Sequence, residues 1–347
     1  MTKVVVTMSI TDEELNRLKA HCEVFVTGWG KTGMRLTSSE MQEEISDANI
    51  VLLGYENLTE DLIRNSPKLQ IIGCARSNPV NIDIACASKL KIPVLYTPAR
   101  NAISTAEYTM GIIISETRNI AKSYHAMKSG RFLGKPEKDF KGSDLRPDVI
   151  WNLDGESPYK EFRGVELNCK TLGLIGLGSI GSKVARLAQA FGMKVVAYSL
   201  SKDAEKAEAL GVQLISLDEL LKTSDIVSVH CRVTPETIGL IGNREIELMK
   251  STAYLINTAR AVLIDQQALL NALQNKRIAG AALDVFWYEP LPVNHPLLEL
   301  DNLTITPHLA GSTVEVIERQ SKMIVDDVLT WIEGGIPKFV FNPDVLF

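Results

Sequence analysis

Short apolar runs separated by polar, helix-compatible stretches recur along the whole chain, and that rhythm predicts parallel sheets covered by helices on both faces. In the N-terminal part the runs are Lys3 to Thr7, Ile50 to Gly54, Leu69 to Cys74 and Ile92 to Tyr96. Thr11 precedes Asp12, Glu13 and Glu14. A hydroxyl cap followed by acids in the first turn predicts a helix that reaches Cys22. Residues 39–48 read as a second, acidic helix, and the segment Ala102 to Met127, free of proline, predicts one long helix. After it, residues 128–165 turn polar and irregular, with Pro136, Pro147 and Pro158. An excursion of that length embraces a partner subunit, covers a cleft or simply lines the surface.

A second α/β series begins at Thr171. Its predicted strands are Thr171 to Ile175, Lys194 to Tyr198, Ile226 to His230, Ala253 to Asn257, Gly280 to Val285 and Leu303 to Thr306. Six strands alternating with helical stretches match a doubly wound, dinucleotide-binding sheet. Thr313 to Gly334 reads as a long helix, and the tail at 336–347 is too small to fold alone, so it is expected to dock on the first domain.

Composition narrows the class. At 347 residues, 45% hydrophobic and 23% charged, the chain is ordinary globular protein and too long for one core. A net charge of −5 and the lack of a dense Lys/Arg run argue against nucleic acid as a partner. No apolar run nears the roughly 18 residues that span a bilayer, and Met1 to Ile10 lacks a signal-peptide layout, so a cytoplasmic protein away from membranes is expected. Cys22, Cys74, Cys86, Cys169 and Cys231 are scattered and odd in number, which writes neither a disulfide framework nor a metal site.

The chemistry begins at Gly176, Gly178 and Gly181, which form G-x-G-x-x-G with Ser179 and Ile180, directly after an apolar strand and before a helical run. The first glycine allows the tight turn, the second lets a pyrophosphate reach the backbone and the third lets helix meet strand. The acid expected about 20 residues on, to hold the ribose hydroxyls, is replaced by Ser199. Asp203 falls instead in the first turn of the next helix, and Lys202 either attracts a 2′-phosphate or is an ordinary solvated lysine. The residues themselves therefore leave NAD and NADP open.

Three further segments carry polar residues where strands end: Asn257 to Ala261, Ala282 to Pro290 and Thr306 to Thr313. Arg260 offers a fork for a carboxylate, His308 a proton near neutral pH, and Glu289 a partner that orients and stabilises the charged imidazole. Singly, each has a plainer role: a surface ion pair, a packed ring, a loop acid before proline. Together with a hydride cofactor they describe the reversible oxidation of a 2-hydroxy acid.

The glycine motif, Asn-Thr-Ala-Arg-Ala at 257–261, Ala-Leu-Asp-Val-Phe at 282–286 with Glu289-Pro290, and Thr-Pro-His-Leu-Ala-Gly-Ser-Thr at 306–313 resemble the D-isomer-specific 2-hydroxyacid dehydrogenases. This is the family of D-3-phosphoglycerate dehydrogenase, and the likeness runs in order over nearly the whole chain, including Cys74 to Asp83 and Thr97 to Asn101. It implies a Rossmann-type cofactor domain at 119–309 and a flavodoxin-like substrate domain at 1–118, completed by 310–347: an α/β fold of two doubly wound parallel-sheet domains. It implies Arg260 on the substrate carboxylate and carbonyl, His308 as general acid/base and Glu289 beside it. It also implies Cys231, Arg232, Thr237, Thr258, Ala259 and Gly311 around the cofactor and Asp284 on the nicotinamide carboxamide, although an aspartate there also serves a turn. NAD is favoured on the same grounds, as is a homodimer.

Two departures stand out. Arg76, Ser77, Asn78, Pro79 and Val80 occupy the place of a glycine-rich substrate loop, with Pro79 supplying no N–H, so substrate preference does not transfer. Arg76 and Arg100 are candidates for a second anionic group or for structural pairing. Ser199, in place of an acid, is the other departure. A nucleotide-sensing corepressor on the same scaffold is the alternative function, and formate oxidation is a third reading that nothing at 76–80 favours.

Overall fold

The computed structural model of the protein describes residues 1–133, 157–201 and 203–346. Lys202 and the middle of the 128–165 excursion lie outside the described residues. The chain divides into two compact units, Met1–Asn101 with Ser312–Phe347, and Ala102–Gly311.

In the first unit, β1 (Lys3–Val6), β2 (Glu23–Val26), β3 (Ile50–Leu53), β4 (Ile71–Cys74) and β5 (Val94–Tyr96) form one parallel sheet. Its order is β2-β1-β3-β4-β5, the flavodoxin-like arrangement. Residue alternation sends Val4, Val6, Ile50, Leu52 and Ile71 to one face, where they meet Leu18 and Ile324, Val325 and Val328 of the helix Val314–Ile332. Val5, Val51, Leu53 and Ile72 meet Met41, Ile45 and Ile63 on the other. Both faces are covered, which is why the central strands read as continuous apolar runs.

The edge strand β2 escaped the sequence pattern because its residues are only half-buried or exposed. The helix expected to reach Cys22 ends at Lys19, with Thr11 as the predicted cap accepting the Glu14 N–H.

The tail docks on this unit, as expected. The buried Asp327 carboxylate accepts the Lys338 and Phe339 amides at 2.7 and 2.9 Å. Asn342 accepts the Val94 amide at 2.8 Å and donates to the Ile92 carbonyl at 3.0 Å.

In the second unit, β6 (Thr171–Ile175), β7 (Lys194–Tyr198), β8 (Gln213–Leu214), β9 (Ile226–Val229), β10 (Tyr254–Asn257), β11 (Gly280–Leu283) and β12 (Leu303–Ile305) make a parallel sheet ordered β12-β11-β10-β9-β6-β7-β8. This is the Rossmann order with an added strand, β12, at one edge. The sequence pattern predicts six of these strands; β8, two residues long at the opposite edge, is the addition.

The expected domain boundary after residue 118 differs from the observed division. The helix Ala102–Thr117 sends Ala106, Met110, Ile112 and Ile113 into the core formed by Leu172, Leu174, Val184 and Ile226, so it belongs with the second sheet. It is also not continuous to Met127. The chain breaks at Asn119, whose φ is 54°, and resumes as the helix Ile120–Lys128. The returning chain caps the break: the Val165 amide donates to the Thr117 carbonyl at 3.0 Å, and the Asn119 side chain reaches the Phe162 carbonyl. Among the described residues no helix is long and apolar enough to cross a membrane.

Asp327→Ala strands the two tail amides, and the first unit is expected to lose about 2 kcal/mol of stability. Urea unfolding together with amide exchange at Lys338 and Phe339 measures the loss; unchanged protection at both amides refutes the clip.

Candidate active site

The chain leaves β6 through Gly176, whose φ of 106° only glycine adopts readily. A Cβ there would lie 2.7 Å from the backbone of His230 and Cys231, so the turn presses against the end of β9. Gly181 approaches even more closely, since its Cβ would stand 2.2 Å from the Gly176 carbonyl oxygen. Gly178 caps the helix Ser179–Ala190 and faces open space. The first-turn amides of Ser179, Ile180 and Gly181 have no acceptor within their own helix, and the helix dipole places positive potential there.

At the end of β7 the Ser199 and Ser201 hydroxyls lie 3.0 Å apart. Asp203, expected in the first turn of the next helix, is instead its N-cap and accepts the Lys206 amide at 3.0 Å. After β9, burial pushes the His230 imidazole down to about 4, so it is neutral at physiological pH, hydrogen-bonded to Ser228 at 2.8 Å. Burial likewise pushes the Cys231 thiol up to about 11. Arg232 is exposed, and its carbonyl accepts the hydroxyl of buried Thr237, which in turn accepts the Thr234 amide. The Thr237 hydroxyl thus ties its own loop.

After β10 the fully buried Asn257 clips the turn that carries Arg260. Its amide group donates to the Arg260 carbonyl at 2.9 Å, and its oxygen accepts the Ala259 amide at 3.0 Å. Thr258 is buried and shares a 2.8 Å hydroxyl contact with Thr109, while the Arg260 side chain is exposed and donates to the Ala259 carbonyl. After β12, His308 adopts a left-handed φ of 57°, and its Nδ1 donates to Glu289 Oε2 at 2.8 Å. The other Glu289 oxygen accepts the Phe286 amide at 3.0 Å. Partial burial pushes the Glu289 carboxyl up, but the His308 bond, the Phe286 amide and the charges of His308 and Arg260 outweigh it and hold it below the usual carboxylate range. The hydrogen bond thus joins His308 to Glu289, and the Arg260 charge acts on the same carboxylate.

Asp284 is fully buried and accepts Thr306 Oγ1 at 2.7 Å and the Leu309 and Ala310 amides at 2.8 Å each. Half-buried Gly311 ends the unit. Among the described residues no cluster of three or more metal-ligating side chains occurs.

Residues 110–310, nearly the whole second unit, match the model of the D-isomer specific 2-hydroxyacid dehydrogenase NAD binding domain. A glyoxylate reductase of Aeropyrum pernix is 35% identical over 99% of this chain and 97% of its own length. The chain belongs to the D-isomer-specific 2-hydroxyacid dehydrogenase family. A D-3-phosphoglycerate dehydrogenase of Methanocaldococcus jannaschii is 36% identical over 99% of this chain, which spans 60% of that protein's length. The crystal structure of a D-lactate dehydrogenase from Aquifex aeolicus, complexed with NAD and lactic acid, superposes with a TM-score of 0.74 at 30% identity, covering 98% of this chain and 99% of that one. The chain is an NAD-dependent oxidoreductase.

In this dehydrogenase the first-unit candidates are engaged locally. Arg76 donates through Nε to the Gly54 carbonyl and lies 5.1 Å from the Tyr55 ring centre. Ser77 donates to the Thr97 carbonyl, and Asn78 accepts the Val80 amide. Arg100 donates to Gln320. Residue type alone did not single out Asn257 or Thr306, nor Tyr108 on the helix Ala102–Thr117. For Asn257 and Thr306 the available signal was a polar residue at a strand end; Tyr108, within a helix, carried no such signal.

An unfolded histidine titrates near 6.5 and His230 near 4, so between those values the unfolded state binds more protons and stability falls with acidification. From pH 7.5 to 5 the loss is at most roughly 2 kcal/mol, the difference in proton binding summed over that interval. Urea unfolding at the two pH values should show a smaller drop in His230→Gln; equal drops would contradict a neutral, enclosed imidazole.

Proposed function

We propose that the chain moves a hydride between NAD and a D-2-hydroxy acid or its 2-oxo acid, with Arg260, His308 and Glu289 as the working side chains. The observation that carries this is the 2.8 Å bond from His308 Nδ1 to Glu289. With Nδ1 committed to the carboxylate, Nε2 is the nitrogen that exchanges a proton with substrate. Arg260 supplies a planar fork for the substrate carboxylate and favours charge developing on the reacting oxygen. Glu289 fixes the imidazole ring and favours its protonated form. Relatives named for glyoxylate, D-lactate and D-3-phosphoglycerate share one feature, a carboxylate beside the reacting carbon, which supports the class of substrate.

Bound NAD(H) supplies the hydride. The bare backbone at Gly178 and the free amides of Ser179, Ile180 and Gly181 suit its pyrophosphate. Ser199 puts a hydroxyl, not a carboxylate, where the ribose is read, so a 2′-phosphate meets no repulsion from this position. The free thiols of buried Cys22, Cys74 and Cys86 suit a reducing, cytoplasmic compartment.

A panel of 2-oxo acids with NADH and NADPH tests the reading. His308→Ala and Arg260→Ala are each expected to lower turnover at least about 100-fold while NADH binding by fluorescence stays near wild type. Wild-type turnover in either variant refutes that residue's role. Tight NADH binding by the native protein with no turnover on any 2-oxo acid would favour the nucleotide-sensing alternative.

The partner proposed for the second unit is another copy of the chain. Ile120, Tyr124 and Met127 expose 51, 66 and 38% of their surface at one-turn spacing on the helix Ile120–Lys128, an apolar stripe that suits a two-fold contact. Light scattering should give twice the 38.2 kDa chain mass, with Tyr124→Glu shifted towards monomer; a monomeric native protein ends the suggestion.

A further inference from the structure

We propose that Asp284 is a positioning residue for His308, holding the 306–310 loop in the conformation that presents the imidazole to Glu289. The inference rests on the reading of His308 as proton donor. His308 occupies left-handed backbone at φ 57°, a conformation unfavourable for a residue with a Cβ and kept only where the surroundings over-determine it.

The bonds that over-determine it bracket the residue on both sides. Thr306 Oγ1 and the Leu309 amide donate to Asp284 Oδ1 at 2.7 and 2.8 Å, and the Ala310 amide donates to Oδ2 at 2.8 Å. The carboxylate cannot shift to follow the loop. It is fully buried at the end of β11, and the Asp284 amide donates to the Asn257 carbonyl of the neighbouring strand at 3.0 Å. Three of the roughly four acceptor positions of the carboxylate are therefore taken by the loop itself. That differs from the role implied by the family resemblance, a direct contact with the nicotinamide carboxamide.

Asp284→Asn is nearly isosteric, but its NH₂ donor faces a loop donor and must break at least one of the three bonds. With the proposal right, NADH binding stays within about twofold of wild type while kcat falls at least about tenfold, because a misplaced proton donor affects the chemical step. Amide exchange at Leu309 and Ala310 accelerates in the same variant. The pH profile of 2-oxo acid reduction moves to lower pH, because a displaced imidazole loses the Glu289 carboxylate bonded to its Nδ1, while Arg260 and the Tyr108 hydroxyl, the other titratable groups around the loop, are retained.

NADH binding weakened about tenfold or more with kcat and pH profile unchanged would overturn the proposal in favour of a cofactor contact. If Asp284→Asn does not fold, Thr306→Val removes a single donor. Faster exchange at Leu309 with lower kcat then supports the clamp, and unchanged exchange and kcat overturn it. A turnover-competent wild type that His308→Ala leaves unimpaired would instead sink the underlying reading of His308.

Discussion

Parallel pairing is the constraint from which the site follows. Each strand of a parallel sheet must be entered from the same end, so every crossover returns over a face and all carboxyl ends open at one edge. In the second unit the residues that leave β6, β9, β10, β11 and β12 at that edge are Gly176, His230, Thr258, Asp284 and Thr306. The chemistry-bearing segments are scattered over more than a hundred residues, yet each begins within a few residues of a strand end. The register of the sheet brings them together before any side chain acts.

What turns proximity into a site is a set of internal hydrogen bonds that fix backbone. Asn257 clips the turn bearing Arg260, Asp284 spans the loop bearing His308, and the Phe286 amide seats Glu289. In the first two cases a polar side chain near the end of a strand holds the main chain beside an exposed working group; in the third a main-chain amide holds the working carboxylate itself. Buried polar atoms are costly unless fully bonded, so the Asn257 and Asp284 anchors resist alternative loop conformations more than an apolar contact of the same area would, while the Phe286 bond to Glu289 lies at the surface. The exposed groups can remain polar and reachable because rigidity is supplied beneath them.

The two cores were legible because their central strands are buried on both faces and read as unbroken apolar runs. The edge strands β2 and β8 were not, since one is half-solvated and the other only two residues long. The break at Asn119 was hidden for a different reason. Nothing in Ala102 to Met127 disfavours helix, and the carbonyl freed at Thr117 finds its partner in Val165, far along the chain. The same non-locality moved the domain boundary, because the helix Ala102–Thr117 is equally apolar whichever sheet it covers.

The site shows where residue type stops being informative. Glycines at Gly176 and Gly181 could be read from spacing, since the close approaches of 2.7 and 2.2 Å admit nothing larger. His308 and Glu289 could be read because a proton donor beside a carboxylate has few other uses at two strand ends. Thr237, Thr258 and Asp284 are different: a hydroxyl or carboxylate near a cofactor motif serves a ligand or the backbone equally well. Their partners Arg232, Thr109 and Ala310 decide where the groups point. Two of those partners lie on segments remote in sequence, so only the folded geometry separates groups available to a ligand from those that hold the backbone in place.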